Sequence, residues 1–486
     1  MKLFSMTLRQ ALIVNRQCCR QFSTSRIRQS ENLPSIAPKS FIDTKPIWQD
    51  PELYSKNCRE RNYNSQSDIP TKIAQLHEEW LQEVRALRGY SERRNAIQKQ
   101  LSRAHTHGLE EEKTKLSQEA RKLERDLAPL EERETWLREE KERLAAELPN
   151  LTSHETPRAS QPKGIGSINE PPAHELSDSR NHVHIGKVLN LLDFQRAATT
   201  SGRGWYFLKN EAALLEQALV QYALKIAMEH GFTIVTPPSI AYSHIASACG
   251  FRPRDPSTQI YNIAHVKEDQ DRDSPILSLS GTAEIPLAGM EANQILNAAD
   301  LPLKVVGPSR CYRAEAGAYG QESKGLYRVH EFTKVEMFAW TVPGAEMDAF
   351  NSILSVQKTI LQTLGLHCRI LEMPSSDLGH SAYRKVDIEA YFPSRCQRND
   401  GWGEVTSASI CTDYQSRRLN TRVENPMGST KKTSFPYTVN GTAVAVPRVL
   451  AAILENGWDE KDECVRIPTV LWPWMNGMQT IDKRKR

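Results

Sequence analysis

The sequence predicts an α+β protein in which an antiparallel two-helix coiled-coil arm precedes an antiparallel sheet flanked by helices. Apolar residues between 71 and 148 recur at helical spacing in two successive runs. From about His182 onward, helical and strand-like segments alternate over a length sufficient for a large core. Within that region one segment reads as strand, glycine-punctuated loop and returning strand, the connection of an antiparallel pair.

The arm comes first. Ile73, Leu76, Trp80, Val84, Leu87, Tyr90, Ile97 and Leu101 mark one run, and Leu116, Ala120, Leu123, Leu127, Leu130, Leu137, Leu144 and Leu148 the other. In the second run the spacings alternate between four and three, which keeps one stripe facing a partner helix. Glu134 and Lys141 interrupt that stripe, and Pro129 predicts a kink because it lacks an N–H donor. Thr106, His107 and Gly108 supply the turn between the helices. Residues 31–150 are therefore expected to form a helical domain, 151–180 a linker rich in Pro, Ser, His and Glu, and 181–486 the main domain. In the main domain, 211–230 is an amphipathic helix, and 233–235, 303–306, 334–340 and 367–371 are strand candidates.

Composition narrows the class. The chain has 486 residues, 39% hydrophobic and 25% charged, as in soluble multidomain proteins. No apolar run reaches the roughly 18–20 residues of a membrane span, so no membrane partner is expected. The net charge of +4 is too small to signal nucleic acid by itself. Nine scattered cysteines, none in a Cys-x-x-Cys pair, point to reduced thiols. Residues 1–30 hold six Lys or Arg and no acid before Glu31. That is the pattern of a mitochondrial transit peptide, so the mitochondrial matrix is the expected location.

Three segments place charged residues beside apolar ones. The first runs from Gly281 to Leu287 with Thr282, Ala283 and Glu284. The second runs from Cys311 to Gly317 and, after the loop, from Arg328 to Glu336. The third runs from Asn440 to Arg448 and leads into an apolar helix. Strand alternation is expected to place Arg313 and Glu315 together, with Arg328 and Glu336 on the same sheet surface. Two arginines there suit an anionic substrate, which guanidinium groups bind in a fork. There is no Gly-x-x-x-x-Gly-Lys loop, so a nucleotide would be held without one.

In this order and spacing the segments resemble the three motifs of class II aminoacyl-tRNA synthetases, and among these the seryl-tRNA synthetases. The 211–230 helix with Pro237-Pro238 is similar to motif 1, 311–338 to motif 2 and 440–456 to motif 3. The resemblance covers nearly everything from 180 to 478, and the N-terminal hairpin is similar to that family's tRNA-binding arm. It implies ATP-dependent activation of L-serine to seryl-adenylate and transfer to tRNA(Ser), with a homodimer formed through the motif 1 region. It assigns Arg313, Arg448 and Glu404 to catalysis. Serine falls to Thr282, Ala283, Glu284, Arg313, Glu336 and Thr442. ATP falls to Arg313, Ala314, Glu315, Arg328, Phe332, Glu404, Val405, Thr406, Ser407 and Arg448, with Phe332 and Arg448 on opposite faces of the adenine. Mg²⁺ falls to Glu404 and Ser407; no zinc is expected, since Cys311 has no companion ligand in the sequence. Gly281 stands where the family usually has proline, and Pro447 where it usually has glycine. The competing expectation is a non-catalytic paralogue that binds tRNA or a protein. Arg313, Glu336, Glu404 and Arg448, which such a protein would have lost, are all present.

Overall fold

In the computed structural model, which describes residues 37–483 except 108, 159, 173–177, 252–259, 265–274, 316–324, 396 and 426–431, the two apolar runs form helices α1 (Ile69–Thr106) and α2 (Glu110–Ala146). The expected transit peptide and most of the motif 2 loop lie outside the described residues. Pro70 sits in the first turn of α1, where its missing N–H has no helical partner to lose. Glu110, Glu111 and Glu112 occupy the first turn of α2 and complement its dipole. Ile97 and Ala104 pack against Leu116, Leu123 and Leu127. The two interruptions of the stripe have partners in α1. The Trp80 indole N–H donates to Glu134 at 2.7 Å, and Lys141 Nζ lies 4.1 Å from the Trp80 ring centroid. Helix α2 runs through Pro129 as one element of 37 residues.

The chain forms two compact units, and the arm's unit comprises Phe41–Gln161 with Pro374–Tyr383. Arg61, fully buried, ties these pieces together: Nη1 donates to the Asn150 carbonyl at 2.6 Å and Nη2 donates to that of Gly379. The Asn150 N–H donates to the His380 carbonyl at 2.9 Å.

The second unit is built on an eight-stranded sheet: β1 (Lys163–Ile168), β2 (Thr233–Ile234), β3 (Leu303–Tyr312), β4 (Glu331–Thr341), β5 (Cys368–Glu372), β6 (Arg384–Tyr391), β7 (Trp402–Thr412) and β8 (Tyr437–Ala445). The order is β1-β5-β6-β7-β8-β4-β3-β2, and every pairing is antiparallel except that of β2 with β3. The α+β fold with an antiparallel sheet thus stands. The stretch 151–180 is not a linker throughout, because β1 pairs with β5 at the sheet edge. Helices α3 (Glu211–Glu229), α5 (Glu346–Thr363) and α6 (Val446–Gly457) pack against the central strands. A Cβ on Gly441 of β8 would meet Ile353 of α5 at 2.5 Å, so only glycine allows α5 to lie this close to the sheet. The residues on either side of Gly441, Asn440 and Thr442, therefore project from the opposite face.

Candidate active site

Two β-bulges shape that face. In β6 and β7, Ile388 pairs with Thr406 but Glu389 pairs with Glu404, so Val405 is the extra residue. Glu404 and Ser407 are three apart and would point to opposite faces of a regular strand; the bulge brings them to one face. In β8 and β4, Thr442 pairs with Glu336 and Val444 with Val335, so Ala443 is the extra residue. Thr442 and Ala445 thereby share the face that carries Lys334 and Glu336.

A cleft opens there, walled by Arg313, Glu315, Arg328, Phe332, Lys334, Glu404, Val405, Thr406, Ser407, Thr442 and Arg448, together with Tyr327 and Pro447. Arg448 is fixed in advance: its Nε donates to the Tyr327 carbonyl at 3.1 Å and its Nη1 to the Glu404 carbonyl at 3.0 Å, 3.2 Å from Glu404 Oε2. Burial would raise the Glu404 carboxyl, but the charges of Arg448, Lys385 and Arg313 prevail and hold it well below the usual range. Arg328 Nε donates to Glu315 Oε2 at 2.5 Å. Pro447 fits its position because it lies in the first turn of α6, where no N–H is required.

Behind Lys334 and Thr442 of the wall lies a buried polar group. Glu336 Oε2 meets Lys334 Nζ at 2.6 Å and accepts the Thr442 hydroxyl at 3.1 Å. Gln357 of α5 donates Nε2 to the carbonyls of Ser407 and Thr442, at 2.8 and 2.9 Å, and so holds β7 and β8 from behind. Nearby, Glu284 begins α4 (Glu284–Met290) with its Oε1 accepting from Gln415 Nε2 at 2.6 Å and Asn440 Nδ2 at 2.9 Å. Burial, reinforced by the charge of Glu336, pushes its carboxyl up to about 7 against the pull of Lys334, Gln415 and Arg313. Thr282 accepts the Glu284 N–H at 3.3 Å, and Ala283 is fully buried beside it.

The structure departs from the sequence expectation at the head of this cleft. β3 ends at Tyr312, Glu315 has φ +46°, and Arg328 precedes β4. Arg313, Glu315 and Arg328 therefore come from the connections at the strand ends, and only Glu336 stands on a strand. Ala314 lies between two wall residues without lining the cleft, and Glu336, Thr282, Ala283 and Glu284 lie outside its wall. Phe332 faces Arg313, whose Cζ is 5.2 Å from the ring centroid, whereas Arg448 lies over Tyr327 at 4.6 Å.

The models of two protein families match this chain: the seryl-tRNA synthetase N-terminal domain over residues 41–152, and the tRNA synthetase class II core domain (G, H, P, S and T) over 265–457. A serine–tRNA ligase of Rhodopirellula baltica is 37% identical over 437 residues, which cover 90% of this chain and 98% of that protein. The chain belongs to the seryl-tRNA synthetases. The mitochondrial serine–tRNA ligase of Saccharomyces cerevisiae is 46% identical over 318 residues, 65% of this chain and 68% of that one. The crystal structure of seryl-tRNA synthetase from Pyrococcus horikoshii complexed with ATP superposes with a TM-score of 0.82 at 31% identity, covering 92% of this chain and all of that one.

Against this seryl-tRNA synthetase framework, sequence reasoning missed several residues of the site. Lys334 follows Phe332 and precedes Glu336 by two positions on β4, and Asn440 precedes Thr442 by two on β8, so alternation could have found both. Tyr327 and Gln415 carried no such signal; they reach the site through the fold alone.

Proposed function

We propose that this chain activates L-serine with ATP and transfers the seryl group to tRNA(Ser) in the mitochondrial matrix. What supports the reading most is the buried Glu336–Lys334–Thr442 group at the foot of a cleft that also holds Arg313, Glu404 and Arg448. A serine carboxylate oxygen attacks the α-phosphorus, the bond to the β-phosphate oxygen breaks, and pyrophosphate leaves. Arg313 neutralises charge between carboxylate and α-phosphate, and Arg448 draws on the outer phosphates. No side chain need act as a nucleophile, since positioning and charge neutralisation carry such a displacement. The tRNA hydroxyl then attacks the seryl carbonyl and AMP leaves. Ala314, Glu315, Arg328, Val405 and Thr406 contact the nucleotide, with the adenine against Phe332. Thr282, Ala283 and Glu284 receive the serine amino end, and Glu336 with Thr442 its hydroxyl.

Among the described residues no group of three or more His, Cys, Asp or Glu side chains forms a metal cage. Mg²⁺ needs none, because it binds through one or two protein groups plus substrate phosphates and keeps several waters. Glu404 and Ser407, an anionic and a neutral oxygen on one face, fit that donor chemistry. When bound there, Mg²⁺ supplies neutralisation of phosphate charge.

The arm, residues 72–148, binds the tRNA. Pyrophosphate exchange across the amino acids is expected to respond to serine alone. Deleting the hairpin is expected to abolish tRNA charging while exchange persists; loss of both in a folded deletion protein would refute the arm's role. Exposed Met228, Ile234 and Ile240, in and after the motif 1 helix, suit a homodimer interface, which sedimentation would read. Mitochondrial relatives and the acid-free residues 1–30 support the location, and a reporter fused to 1–30 tests it.

The same site has a pH signature. An ammonium group pairs with Glu284 only when that carboxyl is ionised, and its value of about 7 places the change near neutrality. Lowering the pH below 7 therefore raises the KM for serine, by about tenfold per unit at the limit, and leaves the KM for ATP unmoved. A flat serine KM between pH 5.5 and 8 would remove Glu284 from amino-group recognition.

A further inference from the structure

The face that carries Glu404 and Ser407 holds a further acid. Asp387 on β6 stands directly opposite Ser407 on β7, and the bulge at Val405 brings Glu404 to the same side. Directly opposed residues of an antiparallel pair have their Cβ atoms about 4.5–5.5 Å apart. Asp387 is only 4% exposed. Its Oδ2 accepts from Lys385 Nζ at 2.7 Å. Its Oδ1 is buried and, among the described residues, accepts no hydrogen bond.

A carboxylate oxygen withdrawn from water and left without a donor is costly, and a structural role alone does not require it. The Lys385 pair needs only Oδ2. The charges of Asp387 and Glu404 also act on each other, as the closeness of the two carboxyls in the register requires. A divalent cation or its water shell is the kind of partner that satisfies a bare carboxylate oxygen beside a second carboxylate and a hydroxyl.

We propose that Asp387, through Oδ1, is a positioning residue for the divalent cation that accompanies ATP, acting behind Glu404 and Ser407 on the cation's outer shell. The inference rests on the reading that Glu404 and Ser407 hold that cation. Lys385 then has a definite role, since it occupies Oδ2 and leaves Oδ1 as the oxygen without a hydrogen bond.

The test uses the full-length protein, Mn²⁺ as probe and a non-hydrolysable ATP analogue, with free and bound Mn²⁺ measured by electron paramagnetic resonance. D387N is near-isosteric and is expected to weaken Mn²⁺ binding about tenfold. Analogue binding in EDTA, serine binding and the unfolding midpoint should stay as in the parent. The Mg²⁺ concentration for half-maximal exchange should rise in parallel. Unchanged Mn²⁺ affinity in D387N overturns the proposal, and so does an equal loss of analogue binding without any cation. E404Q separates this outcome from failure of the underlying reading. If E404Q weakens Mn²⁺ binding and D387N does not, only Asp387 is wrongly placed; if neither does, the cation site itself is. Should D387N fold poorly, D387S reads the same quantity.

Discussion

Replacing Glu336 with Ala is expected to lower kcat/KM for serine by about 10³-fold or more, with ATP binding little changed. Glu336 is buried at 3% exposure, and its Oε2 is shared by Lys334 and Thr442. Serine differs from alanine by one hydroxyl, and an apolar pocket gains little from that difference. A site whose own buried groups are left unpaired by alanine can reject it by roughly 10⁴-fold. Glu336 offers a carboxylate that accepts the hydroxyl proton, and Thr442 lines the cleft beside it. Thr442→Ala should therefore weaken serine by a smaller factor, about tenfold or more, because Glu336 and its Lys334 partner remain. Glu336→Ala also leaves the Lys334 ammonium without its partner, so Glu336→Gln serves as the version that keeps the volume. Exchange kinetics with serine, alanine and threonine, alongside an ATP titration, read the effect. Normal serine kinetics in folded Glu336→Gln and Thr442→Ala proteins would exclude both residues from the pocket.

Much of this architecture was legible because its signals are periodic. The arm's stripes, the 211–230 helix and the strands around 303, 334 and 367 all follow from apolar spacing, and each lies where that spacing puts it. The site was legible as motifs but not as geometry. Glu404 and Ser407 share a face only because Val405 is bulged out, and Thr442 and Ala445 only because Ala443 is. A bulge depends on how two distant strands register, which a single strand's pattern does not carry. For the same reason alternation misplaced Arg313 and Glu315: β3 stops one residue earlier, and the +46° φ at Glu315 breaks the pleat. Glu134 and Lys141 looked like flaws in the stripe because Trp80, which binds both, lies more than fifty residues away.

Arg448→Ala should cost about 10²–10³-fold in kcat/KM for ATP while serine affinity is retained, the scale expected when one preorganised group facing developing charge is lost. The structure explains why the loss should fall mainly on the chemical step. Two backbone carbonyls, those of Tyr327 and Glu404, hold the guanidinium in place, and the Tyr327 ring lies 4.6 Å below it. Its orientation is thus set before any nucleotide arrives, so binding need not order a long side chain. Lysine cannot reproduce this: an ammonium cannot span two carbonyls in one plane and still present donors to phosphate. Arg448→Lys should accordingly recover only a small part of the activity, although it restores the charge. A mutant pair measured by exchange at saturating serine, with ATP varied, distinguishes the two contributions. If lysine recovers activity to within about threefold of the parent, bare charge suffices and the carbonyl cradle is incidental. If alanine and lysine are equally impaired, the fixed fork is what the cleft requires of this position.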